Sequence, residues 1–253
     1  MKKIYLLFFL FFNATSLFAQ KSDTLRTNTI NGVVVQVFNN KNELLAQWTE
    51  VKQLKEGLAI FYGDNKMPIQ ITTFNMGKKN GLELDFNREG KLISSNNFEK
   101  NKLNGLRIIY YPSLAKVKSE QYYSDDLENG FKKLYYDNGN LQEEGRMKMG
   151  KKDGTYTWYF LNGKKASVQE FVNGIQEGFT ANYDEEGNVI SMGKYVKGVK
   201  KGIWKEYKFA GMHIEEGEYE NDHKIGKWTK KTNTDAVLDI FYFDKDGNEY
   251  KKK

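Results

Sequence analysis

The chain has no cysteine, two prolines and two histidines among 253 residues. Without cysteine it can form no disulfide, thiolate metal site or thiol nucleophile, and it has no cysteine to carry a lipid. The two histidines, His213 and His223, have no metal-ligand or catalytic partner at a recurring spacing, so they read as surface residues. With so little proline, extended segments can run unbroken. Pro68 reads as the first residue of a strand and Pro112 as a loop residue. A dominant charge sign is also missing. Lys and Arg number 39 against 33 Asp and Glu, and the net charge of +6 is dispersed rather than gathered into a stripe. A nucleic-acid partner is therefore not expected. Past Phe12, no apolar run approaches the ~20 residues that a spanning helix requires.

The one long apolar run is at the start. Lys2 and Lys3 precede Ile4 to Phe12, and the segment ends in Leu17-Phe18-Ala19-Gln20. A short basic region, an apolar core and a small residue before a cut are the layout of a secretory signal. Residues 1–20 are expected to be that signal and 21–30 a short linker. The protein is then exported, whether periplasmic, outer-membrane-associated or secreted.

The rest of the chain repeats. Gly32, Gly57, Gly81, Gly105, Gly130, Gly154, Gly178, Gly202 and Gly226 recur every 24 or 25 residues. A fixed period in this range marks a stacked array. Five residues after the glycine comes an aromatic: Tyr62, Phe86, Tyr110, Tyr135, Tyr159, Tyr183 or Tyr207. Seventeen residues after it comes another, Phe74, Phe98, Tyr122, Phe171, Tyr195, Tyr219 or Phe243, with Met147 in one unit. Leu82-Glu83-Leu84-Asp85-Phe86 alternates with the period of two of a half-buried strand. Asn-x-x-Gly and Asp-Asn-Gly follow, and these accept the positive φ of hairpin loops.

The expected fold is all-β, an elongated antiparallel meander of repeated hairpins over residues 31–253, with nine units and atypical end repeats. About 18 strands at roughly 4.8 Å each would extend on the order of 80 Å. In this reading a turn former twenty residues on (Gly77, Asn101, Asp125, Gly150, Gly174, Gly198 or Asp222) and the next repeating glycine reverse the chain, so that each repeating glycine is the turn before a strand. The aromatics at offset five form the core ladder, packing against those at offset seventeen. In the first unit Trp48 stands one place early, and in the last Lys231 replaces the first aromatic.

Units such as Asp153-Gly154-Thr155-Tyr156-Thr157-Trp158-Tyr159-Phe160-Leu161-Asn162-Gly163-Lys164 and Lys201-Gly202-Ile203-Trp204-Lys205-Glu206-Tyr207 resemble MORN repeats. They are most similar to the bacterial variant labelled the YwqK-like antitoxin component. The resemblance implies a β-hairpin array that binds proteins or, as proposed for some eukaryotic members, phospholipid. The antitoxin label implies neutralisation of a partner toxin.

No catalytic, cofactor or metal site emerges from the residues. The acidic doublets Asp125-Asp126, Glu143-Glu144, Glu185-Glu186 and Glu215-Glu216 fall in turns or on polar strand faces. Asp244-Lys245-Asp246-Gly247 is only a fragment of a calcium loop. The more informative feature is offsets four and six, which turn apolar in the middle units as Ile109, Tyr111, Leu134, Tyr136, Trp158 and Phe160. A sheet apolar on both faces must bury both or expose a contact patch. These six residues are the expected partner or self-association surface, unless a bend or returning segment covers them. The expected function is an exported, non-enzymatic scaffold binding a protein or cell-envelope component. Antitoxin-like neutralisation and membrane-surface association are the alternatives.

Overall fold

The computed structural model describes residues 23–208 and 211–251, so the expected signal at 1–20 lies outside the described residues. The described chain is all-β: 22 strand segments in one open sheet, with every pairing antiparallel. The meander of hairpins is as the repeat requires. It has more segments than expected because Lys102–Leu103 and Lys151–Lys152 break off ahead of Gly105–Tyr111 and Gly154–Tyr159. Short strands also extend both ends. The segment read as a linker is mostly strand, with Asp23–Thr29 paired residue for residue against Gly32–Phe38. At the other end Glu249–Tyr250 pairs with Tyr242 and Phe243. Pro68 opens the strand Pro68–Asn75 and Pro112 sits in a turn, as expected.

The repeating glycines are not the turns. The reversals between units are two-residue turns with both residues at positive φ, such as Met76-Gly77 (47° and 76°) and Asn221-Asp222 (50° and 66°). This hand matches the twist of antiparallel strands. The glycine follows inside the next strand: Gly57 within Leu54–Tyr62, Gly81 within Lys78–Phe86, Gly202 within Val199–Lys208. All nine have positive φ, from 63° at Gly226 to 129° at Gly130. Pairing with the preceding strand slips by two residues beside them: Thr72 pairs with Glu83 but Phe74 with Lys79, and Met192 with Lys205 but Lys194 with Lys201. From Gly57 on, each is therefore the left-handed residue of a bulge-like slip, whereas Gly32 pairs with Thr29 in an unbroken ladder.

On its other side the same glycine faces the aromatic of the following strand. Gly57 pairs with Phe74, Gly81 with Phe98, Gly154 with Phe171, Gly202 with Tyr219 and Gly226 with Phe243. In the fourth unit Gly105 pairs with Tyr123. The expected Tyr122 lies one position off this series and is 43% exposed. The extra residue of that 25-residue unit lies in the hairpin loop, because Tyr110 pairs with Val117, seven residues on, where Phe86 pairs with Leu92 and Tyr135 with Leu141, six residues on.

The two faces of the sheet differ from the sequence reading. Ala59, Glu83, Tyr156, Thr180, Trp204 and Trp228, all buried, stand two residues after their glycines. They lie on one face, here the tryptophan face, together with the aromatics that pair with the glycines. Tyr195, Trp204, Tyr219, Trp228 and Phe243 form an unbroken series of edge-to-face contacts with centroids 5.2–6.3 Å apart. A single-layer sheet buries such a row only by curling toward it, so that flanking rows lean over it. The tyrosines at offset five are only half-buried and lie on the other, tyrosine face. They do not pack against the second-strand aromatics, because strand alternation points the two sets to opposite sides.

Size complementarity holds the buried row together. The rings of Tyr156, Trp204 and Trp228 lie over Gly145, Gly193 and Gly217, where an added Cβ would overlap them. The first unit reverses the arrangement. Trp48 takes the glycine's place and pairs with the small residues Val35 and Ala59. Trp48 is thus not a displaced ladder aromatic. Glu50 fills that position, receiving hydrogen bonds from Arg26 (2.7 Å) and Trp48 Nε1 (2.9 Å).

Gly193→Ala should lower the unfolding free energy by about 2–3 kcal/mol, because the methyl drives the buried Trp204 ring from its seat. Gly57→Ala, where nothing lies within 4 Å, should cost only the positive-φ strain, about 1 kcal/mol. Urea unfolding of both variants checks the order, and equal losses would contradict ring overlap as the cause.

Candidate binding faces

The six residues expected to form a contact surface share the tryptophan face, at offsets four and six in the fourth to sixth units. All six are half-buried. No returning segment covers them, because each strand of the described meander pairs only with its neighbours. Nor are they freely exposed. Trp158 packs on Tyr156 and Phe171 with centroids 5.7 and 6.2 Å apart, and its Nε1 donates to Glu143 at 3.1 Å. The Tyr111 hydroxyl donates to the Tyr135 carbonyl at 2.9 Å, and the Tyr136 hydroxyl to the Tyr159 carbonyl at 2.8 Å. These two bonds stitch each unit to the next. They also fix the rings, so the patch is rigid and partly open.

Lysines two residues before the glycine are a feature the sequence reading missed. Lys55, Lys79, Lys152, Lys200 and Lys224 each place Nζ over an aromatic ring of the tryptophan face, at 4.3 Å from Trp48, 4.8 Å from Phe98 and 4.0 Å from Trp228. Lys152 lies 4.4 Å from Trp158 and 4.6 Å from Tyr156. Each stem covers apolar surface while its ammonium meets the ring quadrupole. Burial pushes the Lys55 and Lys152 ammonium groups below their ordinary range. Their common offset from the glycine was visible in the chain. Only the fold shows that it sets each lysine on a ring.

Further toward the N-terminus the tryptophan face is polar. Asp85 accepts from Gln70 (2.8 Å), Ser94 (2.6 Å) and Asn96 (3.0 Å), and Arg107 donates to Asn96 at 3.0 Å. A second network joins Ser167, Asn182 and Ser191 at 2.8–2.9 Å. Their donors and acceptors meet one another, which makes these cross-strand ties rather than open ligand positions.

Asp125-Asp126 and Glu185-Glu186 lie in turns, whereas Glu143-Glu144 lies within a strand and puts one carboxylate on each face. Glu143 takes the Trp158 indole, while Glu144 takes the Tyr159 hydroxyl at 2.6 Å on the tyrosine face. Glu120 takes the Tyr135 hydroxyl at 3.0 Å in the same way. The tyrosine face also carries the more exposed apolar groups, among them Leu58, Leu82, Phe131 and Ile203 at 44–60%. Each stands one residue after a glycine and most are separated by polar cross-strand neighbours, such as Thr73 beside Leu58 and Glu218 beside Ile203. Phe131 differs. It stacks with Arg146 at 5.4 Å on the rim of an open depression that includes Lys133, Glu144 and Thr157. His213 and His223 open strands, and no group of three or more His, Asp or Glu able to hold a metal occurs among the described residues. Asp244 accepts instead from the backbone of Asp246 and Asn248, closing its own turn.

Burial, then the Glu120 and Glu144 hydrogen bonds, push the Tyr135 and Tyr159 hydroxyls up to about 12 from 10.0. A proton held more tightly in the folded state stabilises it fully below pH 10, and that stabilisation is lost as pH rises toward 12. The urea midpoint should therefore fall over this interval, and less steeply in Tyr159→Phe. Tyrosinate absorbance gives the check: ionisation of these two groups near 10 in the folded protein would contradict the assignment.

Residues 132–149 and 152–173 match the family model described as MORN repeat variant. No curated protein matches the chain. Among solved structures it is similar to a mutant of TarM from S. aureus in complex with fondaparinux, alpha-GlcNAc-glycerol and UDP. Identity is 18%, coverage is 42% of this chain and 21% of that one, and the TM-score is 0.30. A second TarM structure gives 16%, 42%, 22% and 0.28. The match spans about a fifth of those chains, and likeness at this level carries no functional argument. The resemblance that stands is to the MORN repeat variant, over the fifth and sixth units of the array.

Proposed function

We propose that this chain is an exported, non-enzymatic scaffold that binds a protein or cell-envelope component through the tryptophan face of its fourth to sixth units. The observation that carries the reading is the set of half-open rings Tyr111, Tyr136 and Trp158, fixed in place by neighbouring hydrogen bonds and packing, with half-buried Phe160 two residues on from Trp158. Aromatics already immobilised lose little entropy on contact, and such residues dominate binding energy at interfaces. The match to the MORN repeat variant overlaps these units and supports the choice of region. The basic and apolar start of the chain supports export.

Phe131 and Arg146 on the opposite face give a second reading in the same units, because an exposed aromatic stacked with arginine is also a common anchor. Antitoxin-type neutralisation would require the toxin to be met outside the cytoplasm. Association with phospholipid would require a basic stripe, whereas the tryptophan face carries carboxylates beside its lysines.

Crosslinking in cells, followed by fractionation, tests the proposal. The protein should appear in envelope or medium fractions without its first 20 residues or so. The double variant Trp158→Ala, Phe160→Ala should lose at least about tenfold of its crosslinked partner while remaining folded. Loss with Phe131→Glu instead would move the contact to the tyrosine face. Cytoplasmic protein with an intact N-terminus would refute export.

A further inference from the structure

The two edges of the open sheet are finished differently. At the C-terminal edge, alternation along Val237–Phe243 turns the backbone of Leu238, Ile240 and Tyr242 away from the sheet. Tyr242 is paired with Tyr250, and the Ile240 N–H donates to the Asp239 carboxylate at 2.8 Å. Only Leu238 is left open there among the described residues. At the N-terminal edge, the two-residue hairpin pairs Thr29 with Gly32, so the backbone of Thr24, Arg26 and Asn28 faces outward. Among the described residues nothing pairs with these three. The strand Asp23–Thr29 is exposed along its whole length and has no proline, lysine or bulge. Natural sheets usually blunt such an edge by one of those devices.

We propose that this edge pairs with the same edge of a second copy of the chain, joining two sheets into one across a two-fold axis. Such an isologous contact closes on itself, whereas pairing one copy's N-terminal edge with another's C-terminal edge would give a filament and meets the finished edge described above. The residues fit one antiparallel register. With Leu25 opposite Leu25, the outward backbone of Thr24 meets that of Arg26 in the other copy, giving two hydrogen-bonded pairs. Leu25, the strand's only apolar side chain and 52% exposed, then packs against its mate. The neighbouring register, centred on Arg26, would set like charges face to face and is disfavoured. In the favoured register each Arg26 keeps its ion pair with Glu50 of its own copy, at 2.7 Å.

Sedimentation equilibrium of the purified protein tests the proposal. The wild type should be a dimer. Thr24→Pro removes only an outward N–H and leaves the internal ladder intact, so it should give a monomer with an unchanged far-ultraviolet circular dichroism spectrum and a urea midpoint that no longer depends on protein concentration. Leu25→Lys, which places two ammonium groups opposite each other, should weaken association by at least about tenfold. Leu238→Pro, at the far edge, should leave the dimer unaffected. A monomeric wild type, a dimer that survives both N-terminal variants, or a dimer lost only in Leu238→Pro would each overturn the proposal.

Discussion

The left-handed backbone of the bulge glycine is the constraint on which the array depends. A strand points successive side chains to alternate faces, so a slip of one residue would carry the tryptophan row to the opposite side. From the second unit on, the glycine introduces a two-residue slip, which keeps the facing, at a φ that other residues adopt only with strain. A two-residue slip leaves the facing unchanged, and the residue two places on falls in the buried row at Ala59, Glu83, Tyr156, Thr180, Trp204 and Trp228, whereas Val35, three places on, takes it in the first unit. The fourth unit shows how strict the requirement is. Its extra residue lengthens the hairpin loop between Tyr110 and Val117, and Tyr123 rather than Tyr122 then meets the glycine.

Given that phase, the buried row is a matter of volume. Tyr156, Trp204 and Trp228 each need a glycine beneath them, and Trp48 needs Ala59 and Val35 beside it. Large and small residues therefore trade places across strands, and the row stays filled from end to end. Where neither partner is aromatic, polar side chains take the position and tie to one another, as Asn96 and Arg107 do. The lysines stacked above the rings add a second layer to a sheet that has no other. In a chain without disulfides, the stability of each unit lies in these contacts and in those it makes with the next unit.

The same packing leaves the middle of the array with its tryptophan face half open. The C-terminal units close their tryptophan face with consecutive edge-to-face rings. The N-terminal units close theirs with hydrogen bonds. In between, Ile109, Leu134 and Phe160 supply apolar surface with no ring series or polar network over it. The half-open rings there are held by neighbours rather than by a covering layer.

Much of this architecture was written in the chain. The period, the hairpins, the all-β class and the turn residues follow from glycine spacing and local alternation, because φ preference and strand periodicity are local properties. Both faces of the middle units could also be seen to be apolar. Which face curls inward was not legible, since leucine–phenylalanine alternation at offsets one to five looks as core-like as tyrosine–tryptophan at two and four. Burial in a single layer is decided by the direction of coil, which depends on bulges and cross-strand volumes summed over many strands. The pairing of Tyr156 with Gly145, the lysine over each ring and the role of Glu50 likewise join residues on different strands. The sequence alone determined the repeat and its local geometry. The tertiary structure decided which side of the repeat is inside, because only assembled strands bring the rings, glycines and lysines into contact.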